Sequence, residues 1–144
     1  DFFLGPKRNA LEPGDLIAAV RVPMRRGPQD YLKVGVRNAM VIAVASVALV
    51  VDAPLRRVGV GLGSVGPVPL VAPDAGAFAV EAIDWEAGTL AETDAARRFG
   101  ELVAAASAPI DDHRSTAAYR RHAVGVMAAR ALRDAFPSPT EAAA

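Results

Sequence analysis

The sequence predicts an α+β fold: an antiparallel sheet of three or four strands with two or three helices packed on one face. Three observations predict it. Alternating or β-branched apolar segments crowd the stretch from Asp30 to Val65. Apolar residues at helical spacing crowd the stretch from Thr89 to Ala135. Strands grouped ahead of helices, rather than alternating with them, is the order of α+β chains. With 144 residues and 52% hydrophobic content, the chain is one domain long and can bury about two thirds of the surface its unfolded form exposes.

The elements follow in order. Residues 1–23 are an irregular lead-in. Leu11-Glu12-Pro13-Gly14-Asp15 signals a turn, because Pro13 pre-sets its own φ and Gly14 tolerates positive φ. Leu16 to Val22 then reads as a short apolar strand ended by Pro23, and Met24-Arg25-Arg26-Gly27-Pro28 as a linker. From Asp30 to Arg37, Leu32, Val34 and Val36 alternate with Tyr31, Lys33, Gly35 and Arg37, giving one apolar and one polar face. Val41 to Val51 is apolar at odd and even positions alike. Its valines favour a strand over a buried helix, and a strand apolar on both faces has to be covered on both. A turn at Asp52-Ala53-Pro54 leads to a glycine-rich strand from Arg56 to Val65.

Thr89-Leu90-Ala91-Glu92 has the form of a capping box, and Ala95, Phe99, Leu102 and Ala106 mark one face of a helix that Pro109 stops. Asp111 and Asp112 offer capping oxygens to a longer helix, from about Ser115 to Ala135. Ala117, Val124, Ala128, Ala131 and Ala135 form one stripe of it, and Tyr119, Ala123 and Val126 a second. Pro137 and Pro139 end it, and residues 136–144 read as a flexible tail. One layer of helices covers one face of such a sheet, so the other face requires a neighbouring domain or subunit.

Composition narrows the function. Sixteen basic and sixteen acidic side chains cancel, which argues against nucleic acid or an anionic membrane as a partner, since both attract a basic excess. The absence of cysteine removes disulfides, thiolate zinc sites, iron–sulfur clusters and cysteine nucleophiles from this chain. His113 and His122 are nine residues apart and share no helical face, which argues against a metal site. The longest apolar run, Ala39 to Val51, has 13 residues, against roughly 20 for a membrane-spanning helix. The first residues lack the pattern of a signal peptide. The chain reads as soluble and cytoplasmic and, starting at Asp1, as a piece of something longer.

Four motifs carry possible chemistry. Gly61-Leu62-Gly63-Ser64-Val65-Gly66 matches the dinucleotide pattern G-x-G-x-x-G, but Pro67 and Pro69 follow where that motif needs a helix body. A glycine-rich strand and turn packed closely against something explains it better. Asp111-Asp112-His113-Arg114 could be an acid–base cluster; adjacent carboxylates before a helix are more often caps paired with nearby arginines. The pairs Arg25-Arg26, Arg56-Arg57, Arg97-Arg98 and Arg120-Arg121 are scattered, as solvated faces or salt bridges would be. Lys33 sits with Tyr31 and Arg37 on the polar face of a strand, and a surface face and a ligand-contacting face are equally open there.

Three stretches carry a family resemblance. They are Phe2-Phe3-Leu4-Gly5-Pro6 with Leu11 to Ile17 and Val20-Arg21-Val22-Pro23; Tyr31 to Ala43 running on to Gly63-Ser64-Val65-Gly66-Pro67-Val68-Pro69; and Ala108-Pro109-Ile110-Asp111-Asp112-His113-Arg114-Ser115-Thr116-Ala117-Ala118-Tyr119-Arg120-Arg121. Together they resemble the C-terminal part of the FAD-binding (medium) subunit of the molybdenum hydroxylases, the xanthine dehydrogenase and carbon monoxide dehydrogenase family. The resemblance implies that residues 1–23 are the tail end of an incomplete FAD-binding domain and residues 27–135 the flavoprotein C-terminal domain. It implies FAD as cofactor, in a site completed by an absent N-terminal region whose glycine-rich pyrophosphate loops are not in this sequence. It implies as partners a molybdopterin-binding large subunit and an iron–sulfur small subunit, which hold the metal centres, and electrons passing through the flavin to NAD, oxygen or another acceptor. By resemblance, Ile17 packs on the flavin, Lys33 lies near the flavin ring, and Phe2 or Phe3 approaches the adenine, Phe3 being the assignment retained. Val71 and Gly76 depart from the arginine and glutamate that members often carry at those positions. Two functions follow as expectations: part of a redox-enzyme subunit that closes one side of the FAD site, or a non-catalytic subunit-docking domain.

Overall fold

In the computed structural model, which describes residues 2–142, the chain runs β1 (Phe3–Gly5), β2 (Arg8–Asn9), β3 (Gln29–Val34), β4 (Ala45–Asp52), β5 (Arg57–Gly63), β6 (Leu70–Val71), α1 (Pro73–Ala82), β7 (Ile83–Asp84), β8 (Thr89–Leu90), α2 (Ala95–Ala105), α3 (Ala117–Ala135) and α4 (Pro139–Ala142). Asp1, Ala143 and Ala144, the last two belonging to the expected tail, lie outside the described residues. The central sheet has the order β3-β4-β5-β6 and is antiparallel throughout, each strand paired with its neighbour in sequence. The expected α+β architecture, an antiparallel sheet of three or four strands with helices on one face, is the one observed, with four strands in the sheet.

The strand period sorts the sheet into two faces. One face carries Ala45, Val47, Leu49 and Val51 of β4, none more than 1% exposed, beside Val60 and Leu62 of β5. Leu32 and Val34 of β3 pack at its margin. On this face α1 lies against β5, and α3 against β4 and β3. Gly76 lets α1 seat closely, since a Cβ there would stand 2.5 Å from the Val58 carbonyl oxygen. In α3, the predicted stripe is buried at Val124, Ala128 and Ala131, and the Thr116 hydroxyl caps the helix by accepting from the Tyr119 amide. The α2 helix packs on α3 and α1 rather than on the sheet. Its Phe99 and Val103 are fully buried, and full burial of side chains of this size contributes about 1.5–3 kcal/mol each.

Four expectations are corrected. Leu16 to Val22 forms no strand: no partner strand supplies a ladder, and Leu16, Val20 and Val22 are 91%, 79% and 80% exposed. The apolar run expected as a strand from Val41 becomes one only at Ala45, because residues 35–44 loop out after β3 ends. Thr89 and Leu90 pair with Ile83 and Asp84 in a hairpin, so no capping box forms and α2 begins instead after Asp94. Residues 136–138 are held rather than loose: Phe136 and Ser138 are buried, Phe136 stacks edge-on with Trp85, and the Leu90 amide donates to the Pro137 carbonyl. The α1 helix was not expected, although Pro73 in its first turn is a helix-start signal.

Candidate functional site

The sheet turns a second face away from the helices, and the register sets its composition. Gln29, Val50 and Gly59 form one cross-strand row; Tyr31, Ala48, Gly61 and Val71 the next; Lys33, Ser46 and Gly63 a third. The two middle strands therefore present only Ser, Ala, Val and Gly in these rows, between edges raised by Tyr31 and Val71, 60% and 73% exposed. The result is a shallow trough. Gly63 has a reason within the chain, since a Cβ there would overlap the Ser46 hydroxyl. Gly59 and Gly61 have none: a Cβ would meet nothing nearer than 3.8 Å. Glycine in a strand costs about 0.5–1 kcal/mol relative to alanine, so their smallness points to whatever lies over the face.

Lys33 stands at the edge of this trough. Its ammonium donates to the Val41 carbonyl at 3.1 Å, tying the 35–44 loop to β3. That loop exposes Val36, Met40 and Ile42, so a cation lies beside an apolar surface. Ile17 lies in the extended arm that precedes β3, and Phe3 in the β1–β2 hairpin, edge-on to Phe2 with ring centroids 5.1 Å apart. Both are more than half exposed. No residue from 2 to 27 joins the hydrophobic core. The arm is fastened at its base, where the Arg25 guanidinium meets the Asp52 carboxylate at 2.9 Å and the Ala53 amide donates to the Arg26 carbonyl. Phe3, Ile17 and Lys33 are thus all on open surfaces, and none of them lines the cleft between α2 and α3 or the hollow beside Asp30 and Ala131.

The remaining motifs resolve structurally. Gly61 and Gly63 belong to β5, and Ser64 takes a φ of 62°; the chain then turns to β6 rather than entering a helix, so no dinucleotide turn forms. Asp111 and Asp112 act as caps. The Asp111 carboxylate accepts from the Ala117 amide, and that of Asp112 from the amides of Arg114 and Ser115. Pairing with a nearby arginine is the expectation here; which arginine completes the corner is decided by the fold. Arg120, 6% exposed, donates to the Ser64 carbonyl at 2.8 Å and to the Asp112 carboxylate at 2.5 Å. The fork bridges the turn after β5 and the start of α3. The Arg114 amide, followed by the Arg120 guanidinium, holds the Asp112 carboxyl down at about 2. Two arginines six residues apart give no period to read, and only the fold selects Arg120 over its exposed neighbour Arg121.

Comparison with known proteins bears on this geometry. The family model for the CO dehydrogenase flavoprotein C-terminal domain matches residues 30–135. The chain is 31% identical over 136 residues to the carbon monoxide dehydrogenase medium chain of Afipia carboxidovorans, covering 92% of this chain and 45% of that one. It is 27% identical over 137 residues to the glyceraldehyde dehydrogenase medium chain of Sulfolobus acidocaldarius, covering 93% and 46%. The solved CO dehydrogenase of Oligotropha carboxidovorans, in its reconstituted form, superposes with a TM-score of 0.78 at 31% identity, covering 94% of this chain and 46% of that one. The chain therefore spans less than half the length of these relatives.

Proposed function

The chain belongs to the CO dehydrogenase flavoprotein C-terminal domain family, and from that premise we propose that it is part of the FAD-containing subunit of a molybdenum hydroxylase. The observation that carries the proposal is the open trough of the sheet with its flanking arm: a surface whose glycines and exposed apolar side chains have no use inside the chain. In the complete protein, the preceding domain covers this surface, and the flavin lies where the two halves meet. Lys33 places its ammonium near the ring, Ile17 packs an aliphatic side chain on it, and Phe3 approaches the adenine end. Bound FAD supplies acceptance of electrons and their transfer onward, while the protein supplies orientation and electrostatics. A cation at Lys33 favours the electron-rich form of the ring. The metal centres belong to a molybdopterin-binding large subunit and an iron–sulfur small subunit, and the final acceptor is NAD, oxygen or another oxidant. We place the assembly in the cytoplasm; no described helix is long and apolar enough to cross a membrane.

A flavin titration followed by fluorescence tests this reading. FAD is expected to bind the protein extended upstream and to bind this chain alone at least about a hundredfold more weakly, because half of the contacts are missing. Equal affinity for both would overturn the half-site. In the extended protein, Lys33→Met is expected to lower the flavin's reduction potential, and an unchanged potential removes the role given to Lys33. The second reading, a docking domain without influence on the flavin, is favoured by the spare room over Gly59 and Gly61. It predicts that Lys33→Met leaves the potential untouched while substitutions in the trough disrupt assembly.

A further inference from the structure

The 35–44 loop is pinned at more than its ends. Those ends meet where the Val44 amide donates to the Val34 carbonyl at 2.7 Å, and the returning limb comes back to the end of β3 at Val41. Two contacts fix that return. The Lys33 ammonium donates to the Val41 carbonyl at 3.1 Å. The Val41 side chain lies against Gly35, so closely that a Cβ on Gly35 would stand 2.5 Å from the Val41 Cγ2. Gly35 is not among the residues of positive φ. Its backbone conformation suits other residues too, so what calls for glycine here is the approach of Val41. Valine is stiff about χ1, so Val41 makes room for a methyl group at position 35 chiefly by moving its backbone, and its carbonyl moves with it.

A lysine on an open strand face ordinarily leaves its ammonium to water at the end of a flexible stem. Lys33 makes no ion pair among the described residues, and the Val41 carbonyl is its hydrogen-bond partner there. An ammonium has three donors. One of them on the Val41 carbonyl leaves the others free and holds the charge at one place beside the trough. We propose that Gly35 and Val41 are positioning residues for Lys33: the glycine admits Val41, and the Val41 carbonyl holds the ammonium where the flavin ring meets it. This role rests on the reading that Lys33 lies beside that ring. Val41 acts through its backbone, so its side chain can shrink without loss of the contact, whereas the side chain at position 35 cannot grow.

The test uses the full-length protein, with the flavin's reduction potential measured by spectroelectrochemical titration. Gly35→Ala is expected to shift the potential in the same direction as Lys33→Met, by less, and to add no shift in a Lys33→Met background. Gly35→Ala/Val41→Ala is expected to recover the wild-type potential, because the smaller side chain makes room for the methyl group. A second readout needs no flavin. Lys7 and Lys33 are the only lysines of this chain, and Lys7 is exposed in the β1–β2 turn. Trace labelling of the flavin-free protein with acetic anhydride, read by mass spectrometry, therefore compares Lys33 with an internal reference. Gly35→Ala is expected to raise the Lys33-to-Lys7 labelling ratio by about two- to tenfold, as loss of a modest hydrogen bond would, and Gly35→Ala/Val41→Ala to return it. This measurement also decides the matter if Gly35→Ala fails to retain flavin. An unchanged ratio overturns the proposal, as does a ratio that rises without a shift in potential, an equal shift in the Lys33→Met background, or a double variant that is not rescued. Lys33→Met at wild-type potential overturns instead the flavin role of Lys33, whatever Gly35→Ala does to the labelling, which separates the two failures.

Discussion

Arg120 holds together parts of the chain that are 56 residues apart in sequence. Without its guanidinium, the Ser64 carbonyl and the Asp112 carboxylate lose a charged donor in a corner with little water. Arg120→Ala is expected to lower stability by about 1–3 kcal/mol through the orphaned carbonyl, seen as a lower urea midpoint at unchanged slope. Lysine should not restore it, because one shorter-reaching ammonium does not reproduce the planar spread of the two guanidinium nitrogens that serve the two acceptors separately. Asp112 adds a pH dependence. Its carboxyl lies at about 2 in the fold against an ordinary 3.8, so the unfolded chain binds the proton more readily. Its contribution is therefore complete above about pH 4 and is lost as pH falls from about 4 to about 2. Asp112→Asn should flatten the stability profile in that window, and an acid limb as steep as in the wild type would contradict the assignment.

The α2–α3 pair is the element whose packing is least tolerant. Gly100→Ala forces a methyl group into the Gly125 carbonyl, and neither backbone can yield without moving a helix. The expected cost is about 1–3 kcal/mol, against the gain that alanine gives in an exposed helix; a neutral or higher midpoint in thermal unfolding would show that the helices separate freely. This crossing also marks the limit of what the sequence discloses. Periodicity places Ala95, Phe99, Val124, Ala128 and Ala131 on buried faces, because burial repeats at the helical period. Period two places Leu32 and Val34 on the covered side of β3, whereas β4, apolar at both parities, leaves the burial of Val47 and Leu49 rather than Ala48 and Val50 to the fold. The α1 helix escapes periodicity, since Pro73 to Ala82 is short and rich in alanine and glycine, with too little contrast between its faces. Leu16 to Val22 misleads in the opposite sense: its apolar residues suit a partner outside the chain, and local pattern cannot distinguish that from a partner within it. At the candidate site, Lys33 was legible as an alternating polar residue, whereas the trough became visible only once register aligned Gly59 and Gly61 with Val50 and Ala48.

For the molecule as a whole, one substitution on the open face of the sheet should give opposite answers in the chain alone and in the full-length protein. Gly61→Thr fills open space in the isolated chain, where the nearest atom to the new Cβ is 3.8 Å away, and threonine suits a strand better than glycine. Stability of the chain alone should stay level or rise by up to about 1 kcal/mol. If a preceding domain covers the trough in the full-length protein, as proposed, the same side chain meets it, and both the melting temperature and flavin retention should fall. Equal behaviour in the two contexts would mean that nothing covers the trough. The arm before β3 bears on the same question in another way. It carries Lys7, Arg8 and Arg21 on backbone outside the core, fastened only near Arg25 and Arg26. Trypsin therefore has three accessible bonds upstream of a folded body that begins near β3, and the persistence of those bonds under digestion becomes a clock for when the arm is taken up by the rest of the protein.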